Sequence, residues 1–491
     1  MRSRSRPLPA TVALPLAAAL AGTLACAVAV SMASSTPAGR GAEGPMPMNR
    51  IAESYVKLVL AVGQHDANYV DAFYGPAEWK QAAEAAGKRP LPDLLAEARR
   101  LLAALAALPA SPEPEPAPPP APPALPAPAT AAAPARGGAP SAASSDAADS
   151  ADELPRLRRR FLERQLSALA AHVEALGGRR RTFDEESKAL YDAVAPVYDA
   201  AHFQAILDRI DRIVPGKGPL PARIEAYRRR FVIPPDRVDG VFAAAIAECR
   251  RRTAAHVPLP PGESFTVAYV KDKPWSGYNW YQGGFRSLIQ VNTDLPIYID
   301  RALDLAGHEG YPGHHVYNAL LEQHLVRDRG WVELTVYPLF SPQSLIAEGT
   351  ANFGVEVVFP GPERVIFERR VLYPLAGLDP GGAARYDRLQ ELLRDLGYAG
   401  NEAARGYLDG KLTRDAAQAW LVRYALMSPE RAAQRLRFID TYRSYVINYN
   451  YGQDLVRRYI EARGGTAGHP EQRWRELVRL ISSPRLPSDL R

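Results

Sequence analysis

The chain has 491 residues with a formal net charge of +6, and 47% of its residues are hydrophobic and 23% charged. This is the composition of a globular protein that is long enough to bury a large core. Half of the net charge falls in residues 1–45, which hold four Arg and one Glu, so the rest of the chain is close to neutral. Such a balance argues against a nucleic-acid-binding protein.

The N-terminus has the pattern of an export signal. A basic start is followed by an apolar run over residues 10–30 and then by small residues that suit signal peptidase. We therefore expect an exported protein, periplasmic or extracellular, with residues 1–33 cleaved as a signal peptide or kept as an anchor. Leu24-Ala25-Cys26 loosely resembles a lipidation site, which would tether the chain to a membrane. Translation from Met46 or Met48 would instead give a cytoplasmic protein.

Helical periodicity covers most of the remaining chain. Apolar residues recur on one face of the segment 51–73, and residues 46–108 are predicted to be the N-terminal helices of the main domain. Residues 109–152 are rich in Pro and Ala and cannot bury enough apolar surface to offset their chain entropy, so they are predicted to be a disordered insertion. Helical patterns then continue through residues 153–491, which predicts a mainly α domain.

One region has an extended pattern. Residues 264–275 (SFTVAYVKDKPW) and 285–296 (FRSLIQVNTDLP) are rich in β-branched and aromatic residues, and a Gly- and Tyr-rich segment joins them. We interpret them as a β-hairpin with a long loop. The predicted fold class is therefore mainly α, a large multi-helix domain with a small β-hairpin just before a histidine-rich segment.

The histidine-rich segment, residues 307–318, reads GHEGYPGHHVYN. The helical zinc motif HExxH places two His on one helix face with Glu as the base, but His314 follows His308 by six residues, about 600° round a regular helix. His315 returns to the same face but lies about 10.5 Å further along the axis. Tyr311-Pro312-Gly313 is expected to break or bulge the helix, which would bring His314 to the second ligand position. The alternative is a structural turn with two exposed histidines.

Glu348 is the candidate third ligand. It lies in SLIAEGTANFGVEVVF, where the preceding residues are apolar, so its burial would be costly without a partner. Catalytic zinc is commonly held by two His and one carboxylate. The alternative is a surface or ion-paired Glu.

These segments resemble the DUF885 family of bacterial proteins, which are related to the gluzincin metallopeptidases. The family signature HExxPGHH fits His308–His315 at every fixed position. The EGWALY-type helix is similar to Glu348–Phe353, with Thr350 where Trp is usual. Near the C-terminus, the family's Pro-Gly-Gln…Ser-Tyr-Lys-x-Gly segment is matched only at Tyr449 and Gly452.

The resemblance implies a gluzincin-like zinc metallopeptidase with a zincin-like active-site helix and one Zn²⁺ ion. Its ligands would be His308, Glu348 and one of the two adjacent histidines, with His314 preferred because a Gly precedes the second ligand in related proteins. Glu309 would take a proton from the zinc-bound water and pass it to the leaving amine. Tyr449 would stabilise the oxyanion, and His315 is the reserve for either the ligand or the oxyanion role.

A substrate strand is expected beside this site. Pairing of a peptide with the predicted strand 287–292 would leave Arg286, Gln290 and Asn292 as polar contacts. A metal-dependent amidase or esterase acting on a non-peptide substrate remains an alternative. So does an exported, non-catalytic helical binding protein with a vestigial metal site. We expect no nucleic-acid partner, no obligate protein partner, and membrane contact only through the N-terminal segment.

Overall fold

A computed structural model describes residues 46–109, 153–273 and 275–491. The predicted signal peptide, residues 1–33, and all but the first residue of the predicted insertion, residues 109–152, lie outside the described residues. The described chain is mainly helical, which confirms the predicted fold class.

The helices fall into three groups along the chain. Those before the insertion are α1 (Met48–Gly63), α2 (Ala77–Ala86) and α3 (Leu91–Ala106). Those before the histidine-rich segment are α4 (Glu153–Leu176), α5 (Phe183–Tyr191), α6 (Ala200–Ile213), α7 (Leu220–Arg228), α8 (Val238–Ala254) and α9 (Ile299–Leu305). Those after it are α10 (His314–Leu321), α11 (Pro342–Val358), α12 (Glu363–Phe367), α13 (Tyr373–Ala376), α14 (Ala383–Asp395), α15 (Tyr398–Leu408), α16 (Arg414–Tyr424), α17 (Pro429–Tyr442), α18 (Ile447–Ala462) and α19 (Pro470–Ile481).

The first helix is shorter than its apolar pattern indicates. Its apolar face is buried, as expected for residues spaced three and four apart. However, α1 ends at Gly63, and a turn held by a hydrogen bond from the amide of Asn68 to Asp66 follows. The chain then forms strand β1 (Val70–Phe73), which pairs antiparallel with a later strand, Val336–Pro338. This two-stranded sheet was not predicted, because both strands are too short to show a period of two.

The prediction of a hairpin between residues 264–275 and 285–296 is wrong, because the two segments run parallel within a three-stranded sheet. Its strands are β2 (Ser264–Val270), β3 (Gly277–Gly283) and β4 (Arg286–Asn292), and Val336–Pro338 is β5. The sheet order is β2-β4-β3, with β2 parallel and β3 antiparallel to β4. The segment predicted as a loop is therefore strand β3, because its residues alternate between buried and exposed positions and its aromatic side chains favour a sheet.

Helices α11 and α18 cross at a point where both backbones carry glycine. A Cβ added to Gly349 would lie 2.5 Å from the carbonyl oxygen of Gly452, so neither position leaves room for a side chain. This close approach brings the residues just before and at the start of α18 against the face of α11 that carries Glu348. Gly452 thus has a packing role.

Candidate metal centre

The histidine-rich segment bends where the proline-glycine pair predicts. Helix α9 continues as a wide π-helical turn, Ala306–Gly310, and α10 begins at His314. Gly313 permits the bend, because a Cβ at this position would collide with the carbonyl oxygen of His308. Its amide donates to the carbonyl oxygen of Gly307 at 2.9 Å. The wide turn and the bend together absorb the extra residues, so the two histidines face each other.

Three side chains converge on one point. Nε2 of His308 lies 3.1 Å from Nε2 of His314 and 3.2 Å from Oε2 of Glu348. Nε2 of His314 lies 3.7 Å from the same carboxylate oxygen. Ligands at the zinc–nitrogen and zinc–oxygen bond lengths of about 2.0–2.1 Å stand about 3.3 Å apart in a tetrahedron. The three separations therefore fit a single shared ion.

The burial of Glu348 and its lowered pKa also fit a cation bound between the three side chains. Oε2 of Glu348 is buried and has no hydrogen-bond partner of acceptable geometry among the described residues. Such an orphaned oxygen is costly unless another group satisfies it. Burial opposes ionisation of Glu348, but the two histidines outweigh this effect and lower its pKa. We call His308, His314 and Glu348 the metal-binding cluster for the ion that they could hold, and their donor set is one that Zn²⁺ prefers.

Glu309 lies at the edge of this cluster. One of its carboxylate oxygens is within 4.8 Å of a ring nitrogen of each of His308 and His314. Its backbone carbonyl accepts a hydrogen bond from Asn279 on β3 at 2.7 Å. Gly277 on the same strand leaves room for the carboxylate, because a Cβ there would lie 2.8 Å from Oε1 of Glu309. Glu309 is buried, and its carboxylate lies beside the cluster, within the reach that a general base needs.

Two further residues hold the candidate ligands in orientation. Nδ1 of His308 lies 3.1 Å from Oδ1 of Asn352, and the amide of Asn352 donates to the carbonyl oxygen of Tyr449. The hydroxyl of Tyr445 donates to Oε1 of Glu348 at 2.9 Å. Contacts of this kind fix the tautomer and rotation of metal ligands. Asn352 could have been found from the sequence, since it lies one helical turn after Glu348, whereas Tyr445 carried no signal among many tyrosines.

His315 does not belong to the cluster, so its reserve roles as ligand and oxyanion donor are corrected. Its Nε2 lies 3.0 Å from Oε2 of Glu263, and its Nδ1 lies 2.9 Å from Oγ of Ser287. Successive residues on a helix point about 100° apart, which turns this ring toward the sheet. The carboxylate of Glu263 also accepts hydrogen bonds from Tyr311 and Arg250. This network connects the bend to α8 and to the sheet, and Arg250 is its exposed member.

The predicted substrate contacts on β4 are also corrected. The buried face of β4, with Ser287, packs toward the histidine-rich segment, so alternate residues Arg286, Gln290 and Asn292 lie on the opposite face. The amide of Asn292 donates to the backbone of the β2–β3 connection. Because β4 pairs on both sides, its backbone is not free for a peptide, and β3 is the edge strand beside Glu309.

Tyr449 packs on Tyr445, which contacts the cluster, and its role as oxyanion donor stays a prediction. Its ring packs edge-on against that of Tyr445, with 5.7 Å between ring centroids. Burial and the negative charge of Glu348 raise the pKa of Tyr449. The phenol therefore stays protonated and can donate a hydrogen bond.

Asp71 is a residue that the sequence interpretation missed, because β1 was predicted as helix. Its carboxylate accepts a hydrogen bond from the hydroxyl of Tyr278 at 3.0 Å. Burial raises the pKa of Asp71 to about 7, and the charges of His314, Glu348 and Glu309 also act on it. The N-terminal part of the chain thus contributes an acidic group to the surroundings of the cluster.

Comparisons with known proteins give no assigned function. No family model and no curated protein matches the chain. A proposed lipoprotein from Colwellia psychrerythraea aligns over 69% of this chain and 63% of its own, less than two thirds of its length, with 17% identity and a TM-score of 0.46. A proposed lipoprotein of unknown function from Shewanella oneidensis aligns over 90% of this chain and 88% of its own, with 14% identity and a TM-score of 0.38. Neither likeness is close enough to carry an argument.

Among the helices of the described residues, none has the length and apolar character needed to cross a membrane.

Proposed function

We propose that the chain is a gluzincin-like, zinc-dependent peptidase of the DUF885 family. One observation carries the proposal: two imidazole nitrogens and an otherwise unsatisfied buried carboxylate oxygen lie 3.1, 3.2 and 3.7 Å apart. The fit of HExxPGHH to His308–His315 supports the family assignment. Export is proposed from the sequence of residues 1–33.

Each side chain around the ion would have its own role in peptide hydrolysis. Zn²⁺ would polarise the scissile carbonyl and acidify a water molecule. Glu309 would accept the proton of the attacking water and return it to the leaving amine. Tyr449 would donate a hydrogen bond to the oxygen on which negative charge develops. Edge strand β3 would pair with the peptide backbone in place of β4.

The test combines zinc analysis with peptide cleavage. Wild-type protein should bind about one zinc ion per chain and cleave peptides, whereas Glu309→Gln should keep the zinc and lose at least about 99% of turnover, since general-base catalysis contributes 10²-fold or more. Glu84→Gln changes an exposed residue of α2 and is the matched control. Retained cleavage by Glu309→Gln would refute the assignment of the base.

Other outcomes separate the alternative functions. Cleavage of amides or esters but not of peptides would replace the peptidase by another metal-dependent hydrolase. A protein that binds no zinc and cleaves no substrate would instead agree with a non-catalytic binding protein.

A further inference from the structure

Arg435 on helix α17 carries a guanidinium that no carboxylate among the described residues neutralises. Arg435 is partly buried, and its Nε is buried without a hydrogen-bond partner. No hydrogen bond or ion pair to its other nitrogens is formed within residues 46–109, 153–273 and 275–491. Burying part of a charge without a partner is costly, and a bound ligand of opposite charge would offset that cost.

The surroundings of Arg435 hold the guanidinium in place without compensating its charge. It lies over the ring of Phe438, 4.9 Å from the centroid. Its Nη2 lies 3.8 Å from the point where a Cβ of Gly400 on α15 would be, so the helix backbone passes close to it. Burial lowers the pKa of Arg435, and the one ionisable neighbour that acts in the opposite direction is Tyr449. A tyrosine is neutral at physiological pH, so the positive charge stays unmatched.

Tyr449 links this guanidinium to the metal-binding cluster. The charges that act on the phenol of Tyr449 include those of Glu348, Arg435 and Glu309. The ring of Phe438, over which the guanidinium of Arg435 lies, is 6.3 Å from the ring of Tyr449 between centroids. The ring of Tyr449 packs in turn on that of Tyr445, whose hydroxyl donates to Glu348. A substrate that extends from the cluster along these rings would reach the guanidinium.

We propose that Arg435 binds a carboxylate of the peptide substrate close to the scissile bond. The planar fork of an arginine matches the two oxygens of a carboxylate, which makes this pairing stronger and more directional than a lysine pair. The carboxylate is either the free C-terminus of a short peptide or the side chain of an Asp or Glu residue. This inference rests on the proposed peptidase function and names its substrate class.

The test compares three peptides of one apolar sequence: a free acid, its C-terminal amide, and the amide with Glu at the last position. Wild-type enzyme should cleave one carboxylate-bearing peptide at least about 30-fold faster than the neutral amide in kcat/KM, mainly through KM, because losing one partner of a desolvated charge pair costs 2 kcal/mol or more. Arg435→Gln should bring this ratio close to one, and Arg435→Lys should restore part of it. The peptide that shows the preference identifies the source of the carboxylate.

Arg437→Gln is the matched control, because Arg437 is exposed on the same helix. It should keep the wild-type ratio. Equal cleavage of all three peptides by wild-type enzyme would overturn the inference and leave the peptidase intact. A zinc-loaded wild-type enzyme that cleaves none of a broad peptide set would overturn the proposed function, and the inference with it. Thermal unfolding of each variant shows whether the fold is retained, and the Lys variant keeps the test decisive if the Gln variant unfolds.

Discussion

Tyr445 is the side chain that fixes the carboxylate of Glu348. Its hydroxyl donates to Oε1 at 2.9 Å, which leaves Oε2 for the two histidines. Tyr445→Phe removes this hydrogen bond while keeping the ring, so we expect zinc affinity to fall about 10- to 100-fold, the usual cost of losing a partner of a metal ligand. Competition with a chelator of known affinity measures the change.

Tyr459→Phe is the matched control for this prediction. The hydroxyl of Tyr459 is buried and, among the described residues, has no hydrogen-bond partner. Its removal should leave zinc affinity unchanged. If Tyr445→Phe binds zinc as tightly as this control, Tyr445 does not position Glu348.

His314 is the ligand whose protonation metal binding would change. Burial opposes its charge, but the carboxylate of Glu348, 3.7 Å from Nε2 of His314, raises the pKa of His314 to about 9 in the metal-free protein. The ring is therefore protonated at neutral pH, and because a metal ligand must be unprotonated, zinc binding should release about one proton from it. Below about pH 9, this proton should weaken the apparent zinc affinity about tenfold for each unit by which the pH falls.

Calorimetry in two buffers of different protonation enthalpy measures this release directly. A difference in the observed heat that corresponds to about one proton supports the prediction. Heats that do not depend on the buffer would show that His314 is already neutral before zinc binds.

At the level of the elements, the bend between α9 and α10 makes the site. Gly313→Ala would drive a methyl group into the carbonyl oxygen of His308, so the two histidines could no longer face each other. We expect loss of bound zinc and a fall in the free energy of unfolding of more than about 3 kcal/mol. Zinc analysis and chemical unfolding of the metal-free protein check the two effects separately.

Gly240→Ala gives the opposite expectation at another helix. Gly240 lies within α8, and a Cβ there would meet no atom within 4 Å. Alanine should stabilise the helix by about 0.5–1 kcal/mol and leave zinc binding unchanged. A Gly313→Ala protein that keeps its zinc would show that the bend can form around a side chain.

The bend was predictable from the sequence because Pro312 and Gly313 act locally, through a missing amide hydrogen and a missing Cβ. The sequence did not decide whether His314 or His315 is the second ligand. That depends on how wide the preceding turn is, and the π-helical stretch Ala306–Gly310 sets this width. Strand β3 was missed because its Gly- and Tyr-rich segment is typical of a loop, and its pairing with β4 depends on tertiary structure. The sequence could not predict that Arg435 has no acidic partner among the described residues, because this depends on tertiary packing.

At the scale of the whole molecule, residues from distant parts of the sequence form the candidate site and its surroundings. Asp71 comes from β1, before the predicted insertion, whereas the metal-binding cluster and Tyr449 come from α9 to α18. The parts on either side of residues 110–152 must therefore fold together. Arg159 on α4 joins them, because its guanidinium donates to the carbonyl oxygens of Leu108 and Pro109 at 3.0 and 2.8 Å.

These contacts hold the end of α3 near the beginning of α4. A connection shorter than residues 110–152 should therefore be able to join the two helices. We expect that replacing residues 110–152 by a Gly-Ser linker of about eight residues keeps the fold. The entropy of closing a loop changes by only about 0.6 kcal/mol for each doubling of length, so Tm should stay the same or rise by up to about 3 °C. Thermal unfolding and kcat/KM for a short peptide measure the two consequences. A fall in Tm of more than about 5 °C would show that the segment packs on the helices. Unchanged Tm with lost cleavage would instead show that the segment takes part in the function of the site.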